Sequence, residues 1–141
     1  MNTNLSAKDI GRLWFEKVWN ERDRDLLFQL MAADAIGDLE GGQRIVGPLE
    51  FIEFQKQFLQ TLPDLHIKIE ESLAVGDEVC IHWAATGTHT GTGMSLTPTG
   101  QKITFRGVSW LKTQDGQVTA GRDFWNLAGL MKTLRAEPDT M

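Results

Sequence analysis

The sequence predicts an α+β domain in which helices drawn mainly from the first half pack on a strongly curved, mainly antiparallel sheet. Three observations carry this reading. Apolar residues recur at helical spacing as far as Leu62 and alternate with polar ones from Leu65 onward, so the period changes once along the chain. The long strands that follow are joined by short turn signals, Val75-Gly76-Asp77 and Asp115-Gly116, which suit antiparallel pairing and not a crossover helix. Finally, 141 residues with 41% hydrophobic and 23% charged side chains fit one ordinary core, expected to span residues 1–141 as a single domain.

Each element has a local cause. Ser6 followed three residues later by Asp9 reads as a capping box with Asp in the Glu position. The helix it opens carries Ile10, Leu13, Trp14 and Val18 on one stripe, widened by Trp19. A second short helix starts near Asp23 and buries Leu26, Leu27, Leu30 and Met31. Gly37, Gly41, Gly42 and Gly47 then leave room only for short strands, around 35–39 and 43–46. Pro48 suits the first turn of a third helix, whose buried side is Phe51, Ile52, Gln55, Phe58, Leu59 and Leu62. Leu65, Ile67 and Ile69 alternate with His66, Lys68 and Glu70 as a half-buried strand, and a long strand follows over 78–88. The stretch from His89 to Gly100, with Gly91, Gly93 and Pro98, is a loop. Strands over 101–111 and 117–126 and a short helix over 127–135 complete the domain, with 137–141 as a tail. A sheet bent this strongly closes toward a cone, with helices across its mouth and a pocket between.

Composition excludes several functions. A net charge of −5, a pI near 5.1 and no Lys/Arg cluster argue against nucleic acid and against a membrane surface as partners. The longest unbroken apolar run, Leu30-Met31-Ala32-Ala33, is far below the roughly 20 residues of a spanning helix. Residues 1–8 lack the layout of a secretory signal, so a cytoplasmic protein is expected. One cysteine, Cys80, forbids an internal disulfide and any Cys-based zinc site, and its apolar surroundings read as an inert buried thiol. His66, His82 and His89 form no metal-binding spacing, so no metal is expected; His89, entering the glycine-rich loop, is the secondary catalytic candidate. There is no nucleophile elbow or phosphate loop: Gly91-Thr92-Gly93 and Gly41-Gly42 read as turns. Glu50, Glu53 and Glu70-Glu71 read as surface carboxylates.

Asp123 stands apart. A two-residue hairpin at Asp115-Gly116 sets Trp110 opposite Gly121, Val108 opposite Asp123 and Arg106 opposite Trp125. Alternation then puts Arg106, Val108 and Trp110 on one face with Asp123 and Trp125, with Arg106 a diagonal neighbour about 7–8 Å from Asp123 by backbone. A mid-strand carboxylate ringed by tryptophans and valine is costly unless paired or used. Burial raises its pKa and favours a proton donor, whereas Arg106 lowers it and favours a base. Three readings stay open: a functional acid or base, a purely structural Arg106–Asp123 ion pair, and a register slip that breaks the parity. Trp14, Trp19, Phe51 and Phe58 read foremost as core, with Trp14 and Phe51 expected to reach any ligand beside Trp110, Val108 and Trp125. Met94, in the long loop, reads equally as part of a lid that touches an apolar ligand and as part of a loop packed down on its own domain. Apolar residues on both sheet faces, such as Phe105 and Trp110, point to a homodimer.

These residues resemble the SnoaL-like polyketide cyclases, or ester cyclases, of the nuclear-transport-factor-2-like superfamily. The resemblance rests on Trp14-Phe15-Glu16-Lys17-Val18-Trp19-Asn20, Leu62-Pro63-Asp64-Leu65, Ala85-Thr86-Gly87-Thr88-His89-Thr90-Gly91, Pro98-Thr99-Gly100, Phe105-Arg106-Gly107 and Asp123-Phe124-Trp125. It implies a conical α+β barrel, usually dimeric, with an apolar pocket and no cofactor. It also implies ring closure by intramolecular aldol addition, with the acid/base role falling on Asp123. The chain departs from the anthracycline cyclases at Arg106 in place of histidine, at Arg122 in place of a tryptophan before the aspartate, and at Ile36-Gly37-Asp38 in place of a His-containing motif.

The function expected is therefore cofactor-independent acid/base chemistry, cyclisation or isomerisation, on a small apolar carbonyl or ester compound. Asp123 is the acid/base there, Arg106 orients it or binds the anion, and His89 assists. A non-catalytic binding module for a hydrophobic ligand is the alternative. Epoxide hydrolysis ranks third, since it needs a second carboxylate or a water-holding Asn/Tyr pair and the chain has no tyrosine.

Overall fold

The structure, a computed structural model, describes residues 5–135; the tail read at 137–141 lies outside them. Helix α1 (Ala7–Leu13) opens with the expected capping box: Asp9 N–H donates to Ser6 Oγ at 3.1 Å and Ser6 N–H to Asp9 Oδ2 at 3.3 Å. The helix then widens into a π-helical segment, Trp14–Trp19, closed by Asn20 N–H donating to the Phe15 carbonyl at 3.0 Å. The wider turn brings Trp14, Phe15, Val18 and Trp19 all to the buried side, which is the physical basis of the broadened apolar stripe. Gln55, fully buried, donates to the Val18 carbonyl at 2.9 Å and so satisfies one group of that segment.

Helix α2 (Arg24–Leu30) is capped by the Asp23 carboxylate, which accepts from Leu26 N–H. The chain leaves it at Met31, already extended, so strand β1 (Met31–Asp38) begins four residues earlier than the glycine spacing suggests. Strand β2 (Arg44–Val46) leads into α3 (Gly47–Thr61), which carries Pro48 in its first turn. Strands β3 (His66–Val75), β4 (Glu78–Thr88), β5 (Lys102–Gln114) and β6 (Gln117–Trp125) follow, then α4 (Leu127–Leu134). The loop between β4 and β5 contains one short 3₁₀ turn, Gly93–Ser95.

The six strands form one sheet in the order β2-β1-β6-β5-β4-β3. All neighbours are antiparallel except β1 and β6, so the curved sheet is mixed though mainly antiparallel, and it stays open at the β2 and β3 edges. Its inner face supplies Val79, Ile81, Trp83 and Ala85 from β4 and Ile103 and Leu111 from β5, packed against Ile10, Trp14, Val18, Phe51 and Phe58. The β3 edge is tied to the first helix by Asn20, whose amide donates to the Ile67 carbonyl and accepts from Ile67 N–H, both at 2.8 Å. This clamp fixes the helix end, and the tryptophans it carries, over the sheet.

The β5–β6 hairpin decides what faces the interior. Asp115 and Gly116 both take positive φ (52° and 79°), the form of a tight two-residue turn that matches strand twist. Gln114 pairs with Gln117 and Thr113 with Val118, as that turn requires. Then β6 carries one extra residue: Lys112 pairs with Ala120, and Thr119 is the bulge. Every later pair is displaced by one, so Asp123 lies opposite Ser109 and not Val108. A one-residue slip exchanges faces. Arg106, Val108 and Trp110 therefore lie on the outer face, away from Asp123, and the expected Arg106–Asp123 neighbourhood does not form.

Candidate active site

A cavity of about 50 Å³ opens between the helices and the inner face of the sheet. Trp14, Phe15 and Trp19 reach it from the first helix, and Phe51, Phe54 and Phe58 from α3, where four-residue and three-residue spacing puts them on one stripe. The sheet contributes Trp83, Phe105 and Trp125. The rings pack on one another at ordinary aromatic distances: Trp14–Phe51 at 4.9 Å, Phe105–Trp125 at 5.3 Å and Phe58–Trp125 at 5.9 Å between centroids. Gly107 makes this possible on the sheet side, because a Cβ there would lie 2.5 Å from Trp83 Cζ2 and 2.7 Å from Trp125 Cβ. Phe54, Phe105, Asp123 and Trp125 are the lining aromatic or polar residues that keep partial exposure.

Ser109 and Asp123 are the polar residues of the lining, apart from indole nitrogens. Ser109 Oγ donates to Asp123 Oδ1 at 2.7 Å, and Trp83 Nε1–H donates to Ser109 Oγ at 3.0 Å. Burial pushes the Asp123 carboxyl up to about 6; the Ser109 hydrogen bond opposes that rise, and the charge of Glu40 adds to it. Among the described residues no guanidinium or ammonium lines the cavity. Glu40 sits in the turn between β1 and β2, where its Oε2 accepts from Trp125 N–H at 3.2 Å. Sequence reading missed Glu40, Ser109 and Trp83 as site groups. Ser109 comes opposite Asp123 only through the shifted register of β5 against β6, which the hairpin turn does not announce.

Of the residues singled out from sequence, the structure brings together Asp123, Trp125, Trp14 and Phe51. Arg106, Val108 and Trp110 are excluded by the Thr119 bulge. On the outer face Trp110 donates from Nε1 to Glu78 Oε1 at 2.8 Å, and the Arg122 guanidinium lies 5.7 Å from its ring centre. His89 is fully buried but lies outside the cavity lining: Thr99 N–H donates to its Nδ1 at 3.3 Å, and its backbone bonds to Gln101 and Gly100. It holds the base of the β4–β5 loop. Met94 is half-buried against the core, also outside the lining. Among the described residues no cluster of His, Cys, Asp or Glu could hold a metal ion, and no helix is long and apolar enough to cross a membrane.

A mainly antiparallel sheet curved over helices is the ketosteroid-isomerase-like, nuclear-transport-factor-2-like fold. The family model for SnoaL-like polyketide cyclases matches residues 10–134, and the chain belongs to that family. Among solved structures, a candidate SnoaL-like polyketide cyclase from Jannaschia sp. CCS1 is 25% identical, with a TM-score of 0.85 over 94% of this chain and 93% of that one. IdmH of Streptomyces antibioticus, a candidate polyketide cyclase, is 20% identical with a TM-score of 0.81, over 92% of this chain and 99% of its own. A ketosteroid-isomerase-like protein from Catenulispora acidiphila DSM 44928, solved with trimethylamine, is 18% identical with a TM-score of 0.75, over 92% and 94% of the two chains. No curated protein matches the chain.

Proposed function

We propose that this chain is a cofactor-independent acid/base enzyme of the cyclase or isomerase type, with Asp123 transferring the proton. The observation that carries this reading is a carboxyl in the lining of an aromatic cavity, pushed up to about 6 by burial, with no cation beside it in the lining among the described residues. Near neutral pH such a group spends time in both protonation states, as a general acid/base requires. The carboxylate takes a proton alpha to a substrate carbonyl. The carboxylic acid so formed returns a proton to the alkoxide of an aldol addition, or to another carbon in an isomerisation. With Arg106 on the outer face, that returned proton, and not a guanidinium, neutralises the developing anion. A cavity of about 50 Å³ is well below the several hundred of a drug-sized site. The reacting portion of the substrate is accordingly small and apolar, or enters by displacing the partly buried rings of Phe54, Phe105 and Trp125.

The test needs no knowledge of the natural substrate. Small cyclic ketones in D₂O exchange their alpha protons, and the exchange is followed by NMR. The wild-type chain is expected to accelerate it, and Asp123→Asn to lose about 10²–10⁴-fold of that acceleration. Equal rates for the two proteins overturn the assignment.

A second reading, a non-catalytic binding module, is supported by the same walls: nine aromatic side chains around one acid also suit a small organic cation. The Catenulispora relative solved with trimethylamine motivates that reading. Calorimetry with a trimethylammonium salt against a neutral ligand of equal shape separates the two. The outer face also has a place in the proposal. Trp110 (37% exposed) and Phe124 (51%) lie there on neighbouring strands and fit a second copy of the chain.

A further inference from the structure

We propose that Ser109 and Trp83 act as positioning residues that dictate which oxygen of Asp123 exchanges protons with the ligand. The inference rests on the acid/base reading of Asp123, and it follows from donor and acceptor inventory. An indole N–H can only donate. Trp83 Nε1–H points at Ser109 Oγ at 3.0 Å and takes up a lone pair of that oxygen. The one proton of Ser109 is then left for Asp123 Oδ1, 2.7 Å away. Ser109 and Trp83 are both buried, 4% and 5% exposed, so no bulk water offers the hydroxyl another partner.

The chain of donors therefore has a direction: indole to hydroxyl to carboxylate. Suppose Asp123 instead carried its proton on Oδ1. Ser109 Oγ would have to accept from both sides, and its own hydrogen would be left unpaired among aromatic rings, at the cost of a buried unsatisfied donor. The proton is consequently carried on Oδ2, which has no hydrogen-bond partner among the described residues. Oδ1 stays an acceptor in both charge states and acts as the fixed end of the carboxyl. This gives the aromatic pocket a defined reacting atom, not a freely rotating acid.

The backbone keeps the three groups in line. Ser109 pairs with Asp123 across β5 and β6, and Trp83 pairs with Gly107, two residues from Ser109, across β4 and β5. Gly107 admits the indole because it lacks a Cβ that would collide with Trp83 Cζ2. All of this sits on rigid strands, which hold geometry better than loops.

The test is the titration of the Asp123 carboxyl by carbon-detected NMR, run on wild type, Ser109→Ala, Ser109→Thr and Trp83→Phe. Loss of a hydrogen bond to the charged form is expected to move the midpoint upward by about one pH unit in Ser109→Ala. Ser109→Thr, which keeps the hydroxyl, is expected to restore it. Trp83→Phe keeps the ring and removes only the donor, so a smaller upward movement is expected. A purely structural role would lower the melting temperature without moving the midpoint. Unchanged midpoints in folded Ser109→Ala and Trp83→Phe proteins overturn the proposal, as does a movement that threonine fails to reverse. Should the alanine variant not fold, the phenylalanine variant decides alone. Because the readout is a titration, it stands whether or not alpha-proton exchange is catalysed, so failure here and failure of the proposed function are distinct results.

Discussion

Glu40 Oε2 accepts the backbone N–H of Trp125 at 3.2 Å, and this contact places a second negative charge two residues along the strand from Asp123. The bond anchors the β1–β2 turn to the last strand. It also adds like-charge repulsion to the desolvation that raises the Asp123 carboxyl. Glu40→Gln preserves an acceptor for Trp125 and deletes the charge. The Asp123 midpoint is then expected to fall from about 6, and the pH profile of alpha-proton exchange to move with it. A profile that stays in place shows that Glu40 is electrostatically remote.

The pH dependence of stability follows from the same shift. The folded-state value, about 6, lies above the ordinary 3.8, so the native state binds more protons than the unfolded chain between those limits. The carboxyl's contribution is fully present below about pH 4 and is lost as pH rises through about 6. Asparagine does not titrate. Between pH 3.5 and pH 7 the stability difference between Asp123→Asn and wild type is expected to move by about 2–3 kcal/mol in favour of the variant. Denaturant unfolding at the two pH values measures it, and a constant difference contradicts a raised carboxyl.

Gly107→Ala tests the packing that admits Trp83. The added methyl meets Trp83 Cζ2 at 2.5 Å and Trp125 Cβ at 2.7 Å, both inside a filled core. Overpacking of this kind costs about 1–3 kcal/mol. Thermal unfolding is expected to show that loss, together with altered tryptophan fluorescence, since Trp83 must move. A melting curve like that of wild type means the rings are looser than described.

For the outer face, Phe124→Lys introduces a charge where Phe124 is 51% exposed beside the strand that carries Trp110. If a second copy covers this face, sedimentation equilibrium gives a dimer for wild type and a monomer for the variant. A monomeric wild-type protein removes the proposal without touching the site on the opposite face.

Much of this architecture could be read from residue order. The helix-to-strand change at Pro63, the bounds of β4 and the tight turn at Asp115-Gly116 all follow from spacing and turn chemistry. The partners of Asp123 do not. They depend on one inserted residue, Thr119, in a Val118-Thr119-Ala120-Gly121 run whose one glycine falls two residues past the bulge, and that single insertion exchanged Arg106, Val108 and Trp110 for Ser109. A side-chain pattern has period two whether or not the backbone hides an extra residue, so parity could not reveal it. Glu40 was illegible for another reason: its place beside Trp125 depends on how the β1–β2 turn folds back on β6. His89 stood out because it enters the glycine-rich loop and Met94 because it is an apolar residue in that loop, yet both lie outside the cavity lining.

The proton-transfer role of Asp123 stands or falls with the ionisation of its carboxyl. Its most direct test is a carbon-detected NMR titration of Asp123 in the unliganded wild-type chain, assigned by comparison with Asp123→Asn. The expected midpoint is near 6, about two pH units above an ordinary aspartate. A midpoint at or below 4 would mean a solvated or ion-paired carboxylate, and would contradict the proton-transfer role assigned to it.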